Sequence, residues 1–380
     1  MSAARPFWKD VDWLLLLLAL ASCCLGLVGI VAAEGQSLRD PAVLHLVKRQ
    51  ALAVAVGGVA CAAFAAVDYH VWLRLWRLAY GGTLFLLFAV LAVGRHSLGA
   101  QRWIPLGPFD LQPSEVAKLA LVVALAAVLA ERAGQVRTLR DLWGPAALTA
   151  VPAALVAVQP DLGTALVLAA IFAGMVFAAG FPGWKVLLYG ALLVGAAVGL
   201  IAAHLRWPHR VPLPLHGYQL QRLLAFLDPQ ADPQGSGYQI LQSEMATGSG
   251  RLFGNGVLSG GAGGQLAYFP EANTDFIFAT LGDALGFVGS SLVLTILGLV
   301  FWRVVACMAR APDALGALLA AGVASMLGFE VVLNAGMTLG LMPVTGVPLP
   351  FTSYGGSAVV VSLASVGVVE SVYRQRRRRR

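Results

Sequence analysis

Apolar runs of about twenty residues, parted by short charged or Gly/Pro-rich breaks, recur along almost all of this sequence. A helix that crosses a hydrocarbon layer about 30 Å thick needs roughly 20 apolar residues, because each advances the chain by about 1.5 Å. The runs at residues 13–33, 51–67, 78–94, 114–130, 143–158, 162–180, 183–204, 276–302, 312–334 and 357–372 therefore predict about ten transmembrane helices. Two of them, at 143 and 162, are short and meet at the polar turn Gln159-Pro160-Asp161, which leaves a re-entrant segment open there.

The hydrophobicity is continuous rather than alternating, and inside lipid each backbone N–H and C=O must be paired within its own segment. An all-α polytopic bundle follows, not a barrel. Of the 380 residues 58% are hydrophobic and 12% charged, more apolar surface than a soluble core could hide. The first run reads as a membrane helix and not a signal peptide, since no small-residue cleavage site precedes Glu34.

Orientation follows from the cations. With the N-terminus inside, the inner segments hold Arg5, Lys9, Arg74, Arg77, Arg132, Arg137, Arg140, Lys185, Arg303, Arg310, Arg374 and the run Arg376 to Arg380. The outer loops hold Arg39, Lys48, Arg49, Arg95 and Arg102. This asymmetry predicts both termini in the cytoplasm. The net charge of +7 owes most to the terminal arginines, which read as an anchor on anionic membrane lipids, with no nucleic acid implied. The four cysteines form no CxxC, and the six histidines show no ligand spacing. Neither a disulfide framework nor a zinc motif is indicated.

One membrane domain, residues 1–380, accounts for the chain, and its one long hydrophilic stretch is the loop at 205–275. Connections this long are seldom idle. Within it, 219–228 and 238–245 mix apolar and polar residues at near-helical spacing and predict segments lying in the interface. The glycine-dense stretch 248–264 matches neither nucleotide-binding pattern.

Charged residues inside or at the mouth of a membrane bundle are costly, so each is a candidate. Glu115 and Lys118 stand three apart on one face of the fourth helix, as an ion pair or as a helix-start carboxylate beside a snorkelling lysine. Asp161 has the setting of a helix N-cap. Asp275 ends the long loop at the outer mouth of the eighth helix, where it or Thr274 could also cap. Asp283 and Glu330 lie within helices and could bond their neighbours. Trp103 falls in an outer loop, suited to the aromatic belt or to stacking on a sugar.

Taken together, three early motifs resemble the SEDS family of shape, elongation, division and sporulation proteins: Gly99-Ala100-Gln101-Arg102-Trp103-Ile104, Gln112-Pro113-Ser114-Glu115-Val116-Ala117-Lys118 and Gln159-Pro160-Asp161-Leu162-Gly163-Thr164-Ala165. Later ones agree in order: Tyr238-Gln239 with Gln242-Ser243, Gly248-Ser249-Gly250, Pro270 to Ala279 around Asp275, and Pro348-Leu349-Pro350-Phe351-Thr352-Ser353-Tyr354-Gly355-Gly356-Ser357. Within the family the short tails and Gly263-Gly264-Gln265-Leu266-Ala267-Tyr268 are most like the RodA branch. Asn273, Asp283-Ala284, Glu330 and Arg251 depart from its usual residues.

The resemblance implies ten helices with the long loop between the seventh and eighth, and a peptidoglycan glycosyltransferase that polymerises lipid II during elongation at the inner membrane. It implies Asp275 as the catalytic carboxylate, and Trp103, Glu115, Lys118, Arg210, Arg222, Gln242 and Ser243 as substrate-binding or cavity residues. A divalent cation, Mg or Mn, is expected, with no organic cofactor. The implied partners are a class B penicillin-binding protein transpeptidase and elongation proteins such as MreC and MreD. A lipid flippase, an FtsW-like division polymerase and a scaffold remain the alternatives.

Overall fold

The computed structural model describes residues 10–34, 40–97, 100–105, 110–132, 134–211, 217–235, 237–258 and 271–376. Its helices are α1 (Trp13–Glu34), α2 (Pro41–Ala66), α3 (Trp72–Val93), α4 (Pro113–Ala130), α5 (Trp143–Val158), α6 (Leu162–Ala178) and α7 (Gly183–Arg206). There follow α8 (Gly217–Leu227), α9 (Tyr238–Ser249), α10 (Ile277–Ala309), α11 (Ala314–Thr338) and α12 (Gly356–Gln375). Among the described residues nine helices are long and apolar enough to cross a membrane, and α6 is a shorter apolar helix.

α6 runs beside α4 from one end to the other: its cap Asp161 approaches Ser114 at the start of α4, and Gly134, just past the end of α4, donates to the carbonyl of Ala179. It therefore crosses as far as α4 does, and the expected total of about ten helices stands without a re-entrant hairpin. Several boundaries move, among them the end of α10, which lies seven residues beyond its apolar run. α2 starts ten residues before its apolar run, because Asp40 accepts from the amide of Ala42 and Pro41 opens the first turn. Lys48 and Arg49 thus belong to a helix and not to a loop. α3 likewise takes in Arg74 and Arg77.

The interior is built around α4, α11 and α12, whose faces are largely buried, whereas no residue of α7 is buried. α2 and α12 lie nearly backbone to backbone: a Cβ on Gly367 would stand 2.4 Å from the carbonyl oxygen of Cys61. Small residues permit such contacts where no hydrophobic force draws helices together in lipid.

α10 is broken at Gly286, whose φ of 67° is left-handed. The break strands two carbonyls and two amides, and the chain after α9 restores all four. Asn255 and Gly256 amides donate to Asp283 and Ala284 carbonyls, at 2.9 and 3.1 Å. The Phe287 and Val288 amides donate to Arg251 and Leu252, at 2.8 and 3.0 Å. The Asp283 carboxylate accepts from Ser249 and from Asn255, which ties it to this insertion.

At the end of the bundle where α1 begins, Arg303 pairs with Asp12, whose amide donates to Glu370, and Arg374 donates to the carbonyl of Ala65. There too Tyr69 and His70 both reach Asp313 at 2.9 Å. The opposite end carries a short antiparallel ribbon of β1 (Arg95–Ser97), β2 (Ala100–Pro105) and β3 (Asp110–Leu111), with α8 and α9 of the long loop. The two helices appear where the near-helical spacing placed them. The loop segment 259–270, with the end of the glycine-dense stretch and the motif at 263–268, lies outside the described residues.

Candidate active site

Five charged side chains act on one another at the ribbon end. Arg102 of β2 donates through Nε to the carbonyl of Gln159 at 2.9 Å, and its guanidinium also reaches Pro160. That anchors the turn between α5 and α6. The next residue, Asp161, accepts from the amide of Thr164 at 3.1 Å and from its hydroxyl at 2.9 Å, so the capping expected of it is present.

Asp275 lies in the turn that precedes α10. Neither it nor Thr274 caps that helix, because Phe276 occupies the N-cap position without a side-chain bond and the Thr274 hydroxyl turns back to Glu271 at 2.6 Å. The carboxylate is left for other work. Its turn is held from behind by the loop after α11: Ser353 donates to Thr274 at 2.7 Å, and Tyr354 donates its amide to Asn273 at 2.9 Å. Gln50 of α2 fixes that loop in turn, giving to Ser353 at 3.0 Å and taking from Gly355 at 3.2 Å. The Pro348 to Ser357 motif is thus the rear wall of the site. From α11, the Asn334 amide nitrogen donates to both the Asp275 and the Val347 carbonyls, each at 2.8 Å.

Arg222 of α8 meets Asp275 across Gly346. A Cβ on Gly346 would lie 3.2 Å from Oδ2 of Asp275 and 3.9 Å from the Arg222 guanidinium. Burial, followed by the nearby charge of Glu271, pushes the Asp275 carboxyl up from 3.8 to about 7; Arg222 opposes this, Asp161 adds to it and Arg102 opposes it. A carboxylate poised there can accept a proton at neutral pH.

Deeper in the bundle, Lys118 of α4 donates to Glu115 at 2.8 Å and to Glu330 of α11. All three side chains are about 2–3% exposed. The expected pair is therefore a triad, with Glu330 as the member that spacing alone did not join to it.

The candidates divide accordingly. Asp275 and Arg222 come together, and Arg102 joins them in place of its neighbour Trp103, which is half-buried in β2. Glu115 and Lys118 form the buried triad. Arg210 is exposed in the turn after α7, is absent from the charges that act on Asp275, and is not brought to this cluster. Ser243 is fully buried and spends its hydroxyl on the carbonyl of Thr338, which packs α9 against α11. Gln242 beside it is partly buried. Glu271, Arg102 and Asn334 were not among the expected residues; Asn334 looked like the end of an apolar run.

Between α6, α10 and α11 lies an apolar cavity of about 710 Å³, lined by Phe177, Leu297, Phe301, Leu327 and Phe351 among others. Among the described residues no three His, Cys, Asp or Glu side chains gather closely enough to hold a metal ion.

The fold and the site together define a polytopic helical bundle with a buried carboxylate flanked by arginines at one mouth. The chain belongs to the FtsW, RodA and SpoVE family, whose description is "Cell cycle protein" and whose sequence model matches residues 12–378. The stage V sporulation protein E of Bacillus subtilis (strain 168) is 36% identical over 372 residues, covering 96% of this chain and 98% of that protein. The peptidoglycan glycosyltransferase MrdB of Escherichia coli (strain K12) is 37% identical over 375 residues, covering 98% and 96%. Among solved structures, a chain described in a peptidoglycan synthase complex that coordinates polymerization and crosslinking superposes with a TM-score of 0.79, at 35% identity, over 96% of this chain and 98% of that one. The rod shape determining protein RodA of Thermus thermophilus gives 0.69 at 33% identity, over 98% and 99%.

Proposed function

We propose that this chain is a peptidoglycan glycosyltransferase that polymerises lipid II into glycan strands, with Asp275 as its general base. The observation that carries the reading is the Asp275 carboxylate, free of any capping duty, pushed up to about 7 and facing Arg222. Naming of the similar MrdB protein as a peptidoglycan glycosyltransferase supports it.

In the proposed reaction an acceptor sugar hydroxyl gives its proton to Asp275 as its oxygen attacks the anomeric carbon of the lipid-linked disaccharide. The bond to the undecaprenyl pyrophosphate breaks on the opposite face, so the anomeric centre inverts. Glycosidases need a second carboxyl group to protonate a poor leaving group, whereas a diphosphate leaves as a stable anion once its charge is offset. Among the described residues Arg222 and Arg102 are the cations that act on Asp275, and they are proposed to offset the diphosphate charge. The apolar cavity between α6, α10 and α11 suits a lipid chain.

A divalent cation, Mg or Mn, belongs to the proposal as an ion that arrives with the diphosphate. No protein cage fits one among the described residues, and such ions bind phosphate oxygens and water with few or no carboxylates. When present it neutralises charge on the leaving group.

The site is proposed to face outward from the bacterial inner membrane with both termini cytoplasmic, on the distribution of Lys and Arg. The proposed partner is a class B penicillin-binding protein transpeptidase, in keeping with the synthase complex of the structural relative, with MreC and MreD as further members of the assembly. An elongation role rests on the likeness to RodA over 98% of this chain and 99% of that one. Depletion tests it: rods that round up support elongation, and filaments indicate division.

The test of the activity is to incubate the purified protein, its transpeptidase partner and a divalent cation with labelled lipid II and resolve the products on a gel. Glycan polymer is expected. Its absence from a well-folded complex would contradict the proposal and turn attention to transport or scaffolding.

A further inference from the structure

We infer that Asn334 is a positioning residue, which holds Asp275 at the height where its carboxylate can work. The inference rests on the reading of Asp275 as the base.

Asn334 is completely buried on α11, and both hydrogens of its side-chain nitrogen are committed. One goes to the carbonyl of Asp275 and the other to the carbonyl of Val347, each at 2.8 Å, so a single amide joins two separate chain segments. Both neighbours are acceptors, which fixes the amide orientation: only the nitrogen can face them. The segments it joins carry the two sides of the site, Asp275 itself and, at the residue before Val347, the Gly346 across which Arg222 approaches.

The other half of the amide goes unused. Oδ1 of Asn334 is buried and finds no hydrogen-bond partner among the described residues. A buried acceptor without a donor costs stability, and side chains kept at such a cost concentrate where function demands them. Asn334 is retained for what its donor half does to the Asp275 turn.

The other supports of that turn fall on the neighbours of Asp275, among them a bond from the Thr280 hydroxyl to the carbonyl of Ala272 at 3.0 Å. The helix after the turn has no side-chain cap, and the turn's other bonds to the rear wall run through Asn273 and Thr274, not through Asp275. Asn334 is itself anchored, since it lies one turn beyond Glu330, which Lys118 ties to α4. The path from the buried triad to the base therefore runs along one turn of α11 and through one amide.

The test measures lipid II polymerisation as a function of substrate concentration and pH, with the transpeptidase partner present, for wild type, Asn334→Ala, Asn334→Ser and Asp275→Asn. Loss of the clamp is expected to lower kcat about tenfold or more with KM little changed, because a small misplacement of a reacting group slows chemistry more than binding. The acid limb of the kcat profile is expected to move to lower pH, as the released turn opens to water and burial no longer raises the carboxyl. Asn334→Ser keeps one donor and should fall between the other two; it also serves as the deciding variant if Asn334→Ala does not fold. Wild-type kcat and an unmoved acid limb in a folded Asn334 variant would overturn the inference, as would a loss explained wholly by less folded protein. An active Asp275→Asn would instead overturn the base reading, whatever Asn334 does.

Discussion

Lys118 on α4 reaches across the bundle to Glu330 on α11 while also holding Glu115 one turn before it, so one buried ammonium serves two carboxylates. Removing the ammonium leaves both charges unpaired. Lys118→Met should cost about 3–5 kcal/mol, read as a large fall in melting temperature or loss of folded protein in detergent. Glu330→Gln keeps an acceptor facing Lys118 and relieves one buried negative charge. It should change the melting temperature little, and a collapse equal to that of Lys118→Met would contradict the triad.

Gly346 tests the approach of Arg222 to Asp275. Its φ of 71° is left-handed, and a methyl group there would press on Oδ2 at 3.2 Å. Gly346→Ala should lose about 1–2 kcal/mol of stability from backbone strain. It should also lower kcat, since the carboxylate must move. Unchanged kinetics in the folded variant would show that the carboxylate works from some other position.

The raised carboxyl of Asp275 makes two linked predictions about pH. A base must be ionised to act, so the polymerisation rate should fall as pH drops through about 7. Stability runs the other way. A carboxyl raised from 3.8 to about 7 on folding holds its proton better in the folded state, so ionising it costs stability progressively above 3.8 and fully above about 7. Asp275→Asn should therefore melt higher than wild type at pH 8 and show a smaller advantage as pH approaches 4.

Much of this was legible beforehand for physical reasons. Continuous hydrophobicity marks a membrane helix wherever it occurs, so the spans at 13, 143, 162 and 183 start where the helices do. The start of α2 was missed because the Asp40-Pro41 capping signal precedes ten residues that include His45, Lys48 and Arg49. Asp275 was visible as a charge at a helix mouth. Asn334 was hidden because a lone amide ending an apolar run carries no periodic signal, and its partners are 59 residues behind it and 13 ahead. Arg102 was overshadowed by Trp103, and only the paired ribbon reveals that it grips the Pro160 turn. The break at Gly286 is equally silent, since glycine is common in such helices; it takes the segment at 251–256 to disclose it.

The far end of the bundle has its own pH signature. Burial would raise the Asp313 carboxyl, but hydrogen bonds from the Gly316 amide, Tyr69 and His70 outweigh it and hold it below its usual 3.8. A depressed carboxyl adds stability above its unfolded value, and that stability is lost as pH falls through the folded one. Asp313→Asn should thus lower the melting temperature near neutral pH, with the difference shrinking below about 4. A constant difference across that window would separate these bonds from the fold's acid stability.

The role of Asp275 as the base is decided by comparing lipid II polymerisation by wild type and Asp275→Asn at pH 8, in parallel with their melting temperatures. Polymer is expected from wild type and none above background from Asp275→Asn, in a variant that melts no lower than wild type. Polymer made at the wild-type rate by Asp275→Asn would contradict that role.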